Sequence, residues 1–411
     1  MGLGRVGMGA VGVVVGVLCW ALAQGAGPLP EVGPEDSGFA QVLGPRVFEF
    51  PPDHGAHPEY RQEWWYFTGN LDAATGERFG FELTFFRYGL VPGEEPATAT
   101  APGTESAWRA RQTYMGHFAV TDVARQRFRF AEKVSRGAVG LAGARNPSLR
   151  VWVDDWVLEE AGVGARAGAV AGSADGGGGT GAGDVRSGVG TANGGTGARG
   201  HGHWTLHAAE SGYDLTLDAE ALEEPVLNGD HGFSAKGSKP GSASYYYSIP
   251  RVAVHGHLIR DGKSLEVQGL AWMDREWGSG TLEQQGWDWF ALQLGDGSSL
   301  MFYSLRYRDG RRDPHSAGTW VTATGEARTL AADDVQIDVL DYWKNPRGER
   351  YPARWRVRVP AVGVDVEIRP VLADQELEDS SRYWEGAVDV IAAGAGSGGR
   401  GYVELVGYAA Q

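Results

Sequence analysis

Three consecutive charged residues, Asp274, Arg275 and Glu276, stand between two tryptophans, Trp272 and Trp277. If this segment is a β-strand, side chains alternate: Leu270, Trp272, Asp274 and Glu276 point one way, and Ala271, Met273, Arg275 and Trp277 the other. Two carboxyls and an indole then share a face. Were that face to line an apolar barrel, desolvation and like-charge proximity would raise the pKa of one carboxyl and leave it protonated. A neutral acid in an apolar enclosure is what protonation of a carbon–carbon double bond requires. The structural alternative is an ion pair of Asp274 or Glu276 with Arg275 or Arg306 at a barrel rim, closing a domain junction without any chemistry.

Other chemistry-bearing residues are more scattered. His231 sits in a turn-like stretch beginning at Asn228 and could reach the mouth of the first barrel as a polar contact or base; a loop histidine without a role is the plainer reading. His255 and His257 would share a strand face, but a metal needs a third ligand and none is identifiable. His54 and His57 could shape a barrel entrance. No nucleophile elbow, phosphate loop or dinucleotide fingerprint stands in a credible setting, so no cofactor is expected and a serine hydrolase of the usual kind is disfavoured.

The elements that must position these groups are strands. Short runs rich in Val, Trp, Tyr, Phe and Thr recur between glycine-bearing turns, and no long segment has a helical apolar period. Alternation is clear in residues 127–130, 213–219 and 354–359. An all-β chain of barrels or sandwiches follows. An internal repeat sharpens this: Trp64, Tyr66, Phe67, a turn and Arg87-Tyr88 are echoed by Trp287, Trp289, Phe290, a turn and Arg306-Tyr307. Two copies of one hairpin imply two similar β domains, the second starting near Val252. Trp64 and Tyr66 share a face, as do Trp287 and Trp289; such aromatics are usually core and otherwise ligand walls. Arg87 and Arg306 are expected either to stack on their domain's tryptophans or to face solvent.

With 411 residues, 42% of them hydrophobic, the chain can bury ample core. Residues 1–23 read as a signal peptide with cleavage after Ala23, which places the mature protein in the periplasm or outside the cell. The single cysteine, Cys19, would leave with it, so neither a disulfide framework nor a thiol nucleophile is expected. A net charge of −15 without a clustered basic surface argues against nucleic acid. An N-terminal domain over residues 40–250 is interrupted by a Gly-rich insertion at 161–202, read as an enlarged hairpin loop whose deletion should be harmless; a C-terminal domain takes 251–411.

Four ordered motifs, starting at Glu63, Leu270, Gly286 and Tyr383, resemble the AttH and carotenoid 1,2-hydratase group from about Phe48 to Tyr408. The resemblance implies two consecutive lipocalin-like antiparallel β-barrel domains and an apolar ligand, a lipid or isoprenoid. It also implies cofactor-free hydration, in which Asp274 protonates the alkene, Trp272 and nearby tyrosines stabilise a carbocation, and Glu276 orients the water. Hydratases of the group carry a His-x-Trp pair on a neighbouring strand; Tyr245 to Tyr247 is expected in that place, with Tyr245 for the histidine and Tyr247, Trp64, Tyr66, His231, Trp287 and Trp289 around the ligand. Arg275 also stands where AttH-type proteins usually have histidine. The alternatives are a non-catalytic lipid carrier or chaperone serving an export system, in transient association with a membrane transporter, and a secreted hydrolase.

Overall fold

The computed structural model describes residues 38–93, 110–161, 202–210, 212–280, 282, 284–393 and 397–409. The expected signal peptide and the interior of the Gly-rich insertion lie outside them. Among the described residues regular structure is strand, apart from short 3-10 turns.

A meander opens the first domain: β1 (Gln62–Ala73), β2 (Arg78–Gly89), β3 (Gln112–Asp122) and β4 (Arg127–Arg136). Next come β5 (Ala142–Arg145), β6 (Arg150–Val153), β7 (Trp156–Glu160), β8 (His203–Glu210) and β9 (Tyr213–Ala221). β7 and β8, on either side of residues 161–202, pair antiparallel. Two short strands, β10 (Val226–Leu227) and β11 (Phe233–Ala235), precede the long hairpin β12 (Ala243–Arg260) and β13 (Lys263–Gly278), and β13 returns to pair with β1. This sheet curls into a nearly closed barrel. Within it the largest apolar cluster packs Trp65, Phe67, Phe85, Trp156, Trp204 and Trp277.

The second sheet is a half-barrel. Its repeat hairpin is β14 (Gly286–Leu294) and β15 (Ser299–Arg306), followed by β16 (Ala317–Val321), β17 (Ala327–Ala331), β18 (Gln336–Lys344), β19 (Arg350–Val359), β20 (Val364–Pro370), β21 (Glu376–Glu378), β22 (Arg382–Ala392) and β23 (Gly399–Val406). Two consecutive lipocalin-like domains therefore form, and the two hairpins pair in equivalent register, Glu63 with Arg87 and Gly286 with Arg306. The boundary expected at 250/251 falls inside β12: the first sheet continues to Gly278, and the second begins at Gly286.

Close approach of β1 and β13 fixes the site-bearing strand. A Cβ at Gly269 would lie 2.0 Å from the Asn70 carbonyl oxygen, an impossible contact with backbone. Gly269→Ala is thus expected to spread this seam and destabilise the fold by about 1–3 kcal/mol. A melting temperature within about 1 °C of wild type would contradict it.

The arginines depart from expectation. Arg87 is fully buried but, among the described residues, stacks on no tryptophan: it donates to Glu63 Oε1 at 2.5 Å and to the His57 and Tyr60 carbonyls at 2.9 Å. Arg306 lies 3.9 Å above the Tyr408 ring and pairs with Asp288 at 3.0 Å. Arg275 takes the tryptophan stacking instead, 4.2 Å from the Trp65 centroid. Arg275 also shares Glu63 with Arg87, so one buried carboxylate serves two guanidiniums and, among the described residues, only one of them reaches a ring.

Candidate functional site

Asp274 does face an enclosed apolar region, but not the barrel interior. Arg275 and Trp277 point into the barrel; Trp272, Asp274 and Glu276 point outward, onto the second domain. Strand register places three rows on this face. The middle row runs His117, Thr84, Tyr66, Asp274 and Ser248 across β3, β2, β1, β13 and β12. Beside it run Glu82, Thr68 and Trp272 on one side, and Phe86, Trp64, Glu276 and Tyr246 on the other. From the second domain Trp287, Trp289, Tyr303, Ala387 and Tyr402 close over them. The repeat hairpins therefore turn their aromatics toward each other, with Tyr66 and Trp289 edge to face at 5.2 Å.

Asp274 is 4% exposed. Its Oδ1 accepts from Ser248 at 2.6 Å and from the Trp272 indole at 2.7 Å, and its Oδ2 accepts from Tyr246 at 2.6 Å. The Trp289 indole in turn donates to the Tyr246 hydroxyl oxygen at 3.2 Å. All three donors to the carboxyl are neutral. Burial pushes the Asp274 pKa up to about 6; the hydrogen bonds restrain the rise, and the charge of Glu276 adds to it. The carboxyl is thus poised to give or take a proton near neutrality.

None of the ion pairs foreseen for the charged triplet forms. Glu276 is bonded by Ser244 and pairs with Lys236 at 3.3 Å, while Arg275 pairs with Glu63 at 3.1 Å inside the barrel. Glu276 is held by Lys236 and Ser244 and so is not placed as an arm for water.

Tyr245 and Tyr247 are corrected by one residue of register. Opposite Trp277 and Arg275, they point into the barrel, where Tyr245 donates to the Gly44 carbonyl at 3.1 Å and Tyr247 lies 2.6 Å from His54 Nδ1. The tyrosine that reaches Asp274 is the one between them, Tyr246. His231 is displaced as well: its side chain is 82% exposed on a turn with φ of 50°, bonded to Asp230. It lines a groove of about 750 Å³ between the first domain's Leu222–His231 stretch and β16–β17. Thr319, in the groove wall, donates to Asn228 at 2.7 Å; Asn228 donates to Ser248 at 2.9 Å, and Ser248 reaches Asp274. His255 and His257 are exposed, and among the described residues no group of three or more His, Cys, Asp or Glu is placed to hold a metal.

The second domain adds two acids that the charged triplet gave no reason to seek, Glu385 and Glu404. Glu385 accepts from the Tyr66 hydroxyl, and Glu404 from the Trp287 indole at 3.0 Å. Burial raises Glu404 to about 8, with the charges of Glu82, Asp274 and Glu276 adding to the rise. Glu385 lies in the motif that starts at Tyr383, yet nothing local shows that it crosses to the other domain.

His54 has a different consequence. Burial, then the charge of Arg275, lowers its pKa to about 3. The unfolded chain binds a proton at this imidazole below about pH 6.5, and the folded chain does not until about pH 3. Stability from this group is therefore present above pH 6.5 and falls by about 1.4 kcal/mol per pH unit below it. His54→Gln is expected to flatten the decline in melting temperature between pH 6.5 and 4; an unchanged slope would assign the decline elsewhere.

Residues 41–408 match a family profile described as AttH-like. The crystal structure of a Nitrosomonas europaea protein assigned to AttH is 30% identical with a TM-score of 0.71, covering 90% of this chain and 100% of that one. Kievitone hydratase from Nectria haematococca shares the fold, with a TM-score of 0.61 at 12% identity over 90% of this chain and 96% of that one. A dehydratase of Emericella nidulans, asqC, is 24% identical over 194 residues, 45% of this chain and 54% of that protein. The kievitone hydratase of Fusarium solani is 22% identical over 169 residues, 40% of this chain and 47% of that protein. The match spans about half the length of these two curated relatives.

Proposed function

The chain belongs to the AttH-like family, and from that premise we propose that it is a cofactor-free hydratase or dehydratase for an apolar, isoprenoid- or lipid-like alkene, working at the junction of its two domains. One observation carries this reading: a buried carboxyl, Asp274, held by three neutral donors, with its pKa near 6 and aromatic rings around it. The names of the curated relatives, a dehydratase and a hydratase, support the reaction class.

In the hydration direction Asp274 gives its proton to one alkene carbon and a carbocation forms at the other. The π faces of Trp272, Trp289 and Tyr66 stabilise that cation. Water bonds to it and sheds a proton. Dehydration is the same path reversed. Substrate approaches from the groove beside Thr319, whose hydrogen bonds lead through Asn228 and Ser248 to the acid. On this reading the enzyme works outside the cytoplasm, where the expected signal peptide would send it.

Geraniol, with a terminal isoprenoid double bond, is a suitable probe. Incubation in oxygen-18 water is expected to yield the tertiary alcohol carrying one labelled oxygen. A protein that binds geraniol, read by tryptophan quenching, yet returns it unlabelled would be a carrier.

A further inference from the structure

Hydration needs a second group, to receive the proton that the attacking water sheds. Asp274 belongs to the first domain, so a group on the second domain faces the junction from the other side. Two buried carboxyls face the junction from the second domain, Glu404 and Glu385; the one joined to the Asp274 row is Glu385, on β22 in the Tyr383-Trp384-Glu385 motif that the acid site leaves unused. The Tyr66 hydroxyl donates to Glu385, and Tyr66 is the cross-strand neighbour of Asp274 on the same face. One tyrosine therefore lies between the two acids.

Glu385 is not alone. Glu82, 1% exposed on β2, turns its carboxyl to that of Glu385. Its Oε1 accepts from Thr84 at 3.0 Å and from Tyr383 at 3.5 Å. Its Oε2 has no donor in the described chain unless Glu385 carries a proton. Two buried carboxyls facing each other hold one proton between them, because two adjacent anions cannot both be sustained away from water. Beside Glu82, across β1, the hydroxyl of Thr68 is also buried without a partner. A buried polar group of this kind suits the oxygen of a substrate or of the attacking water.

A file of groups leads outward from the pair. Tyr383 lies 2.6 Å from His117 Nδ1, His117 Nε2 lies 3.1 Å from Glu132, and Glu132 accepts from Ser380 at 2.5 Å on the half-buried strand β4. We infer that Glu385, sharing a proton with Glu82, is the second acid–base group of the reaction, and that Tyr383, His117 and Glu132 pass its proton to and from solvent. Burial, and then repulsion from Glu82 and Glu404, pushes Glu385 well above the usual carboxylate range, as that sharing requires. The titratable groups around the pair are Glu404, Tyr66, Tyr383, Tyr402, His117 and Glu132.

The inference rests on the hydratase reading, and its steps balance. Asp274 loses a proton to carbon, a C–O bond forms to water, and the water's second proton passes to the Glu385–Glu82 pair. The pair releases one proton through Tyr383, His117 and Glu132, a solvent proton returns to Asp274, and the net change is one added water.

Infrared titration and geraniol turnover test it together. In a Glu404→Gln background, which removes the other buried acid raised into that range, a protonated-carboxyl stretch is expected to persist above neutral pH. It should vanish in Glu385→Gln and shift in Glu82→Gln, but survive in Asp274→Asn. Turnover of geraniol should fall about 100-fold in Glu385→Gln. In His117→Ala it should also fall, with kcat restored by added imidazole, a rescue that a packing role would not give. A stretch unaltered by both glutamate substitutions overturns the shared proton. Full turnover in Glu385→Gln alongside an inactive Asp274→Asn overturns the inference and leaves the hydratase reading intact. Full turnover in Asp274→Asn removes that reading instead, while the infrared arm still decides whether the proton is shared.

Discussion

Asp274→Asn is expected to lower hydration turnover by about 10²–10⁴-fold while leaving ligand affinity close to wild type, because it keeps the shape of the carboxyl and removes the transferable proton. The amide oxygen can still accept from Ser248 and the Trp272 indole. The amide nitrogen meets the Tyr246 hydroxyl, which must stop donating and accept from two sides, since the Trp289 indole already donates to it. One hydrogen bond is reorganised, and the apolar junction stays filled. Oxygen-18 incorporation and tryptophan quenching separate the two effects. Hydration by the wild type should decline as pH rises through about 6, where Asp274 loses its proton. A variant that hydrates geraniol within a factor of about two of wild type would remove Asp274 from the mechanism.

The same carboxyl should leave a mark on stability. Its pKa is about 6 in the folded chain against an ordinary 3.8, so the unfolded chain gives up this proton first as pH rises. Its contribution is therefore greatest below about pH 4 and is lost as pH climbs through 6, at about 1.4 kcal/mol per unit. Relative to Asp274→Asn, the wild type should lose melting temperature across that interval. This runs opposite to His54, whose contribution is gained over nearly the same range. A titrating acid held in an apolar junction is less stable ionised than an amide would be there, a familiar exchange of stability for chemistry.

Much of the fold was legible because it depends on local pattern. Alternation along β9 and β19 appears as alternating burial, and the twin hairpins pair in the register that their aromatic spacing implied. Period two also sorted Trp272, Asp274 and Glu276 correctly onto one face. It could not say which face was which, because β13 is buried without interruption from Ala271 to Gly278, with the barrel on one side and the second domain on the other. Tyr245 and Tyr247 went astray for a related reason: in three consecutive tyrosines the one that meets Asp274 is decided by the register of β12 on β13, and a slip of one residue reverses every side chain. Glu385 was invisible in its role because its partner Tyr66 lies 319 residues away.

The ion cluster inside the barrel was equally hidden, and it carries the largest expected effect on folding. Glu63, with no exposed surface, accepts from Arg87 at 2.5 Å and from Arg275 at 3.1 Å, and His57 stands 3.2 Å away. Although burial opposes ionisation, the guanidinium of Arg87, the hydrogen bond of His57 and the charge of Arg275 hold the carboxyl well below the usual range. Its contribution is present above the unfolded value, near pH 4.5, and is lost as pH falls toward the folded one. Glu63→Ala leaves two guanidiniums buried without a counter-charge and should destabilise the first domain by about 3–5 kcal/mol. That corresponds to about 10 °C or more in melting temperature, measured at pH 7 by near-ultraviolet circular dichroism. Replacing Glu63, Arg87 and Arg275 together by Leu, Met and Met should recover most of the loss, because the penalty lies in the orphaned charges and not in the missing attraction. A triple variant as unstable as Glu63→Ala would contradict this, and would show that the guanidinium of Arg275 is needed for its bonds to the Trp64 and Gly55 carbonyls. Those bonds tie β13 to β1 and to the Gly55 turn one residue from Asp274, so a barrel restored without them should melt normally and still hydrate poorly.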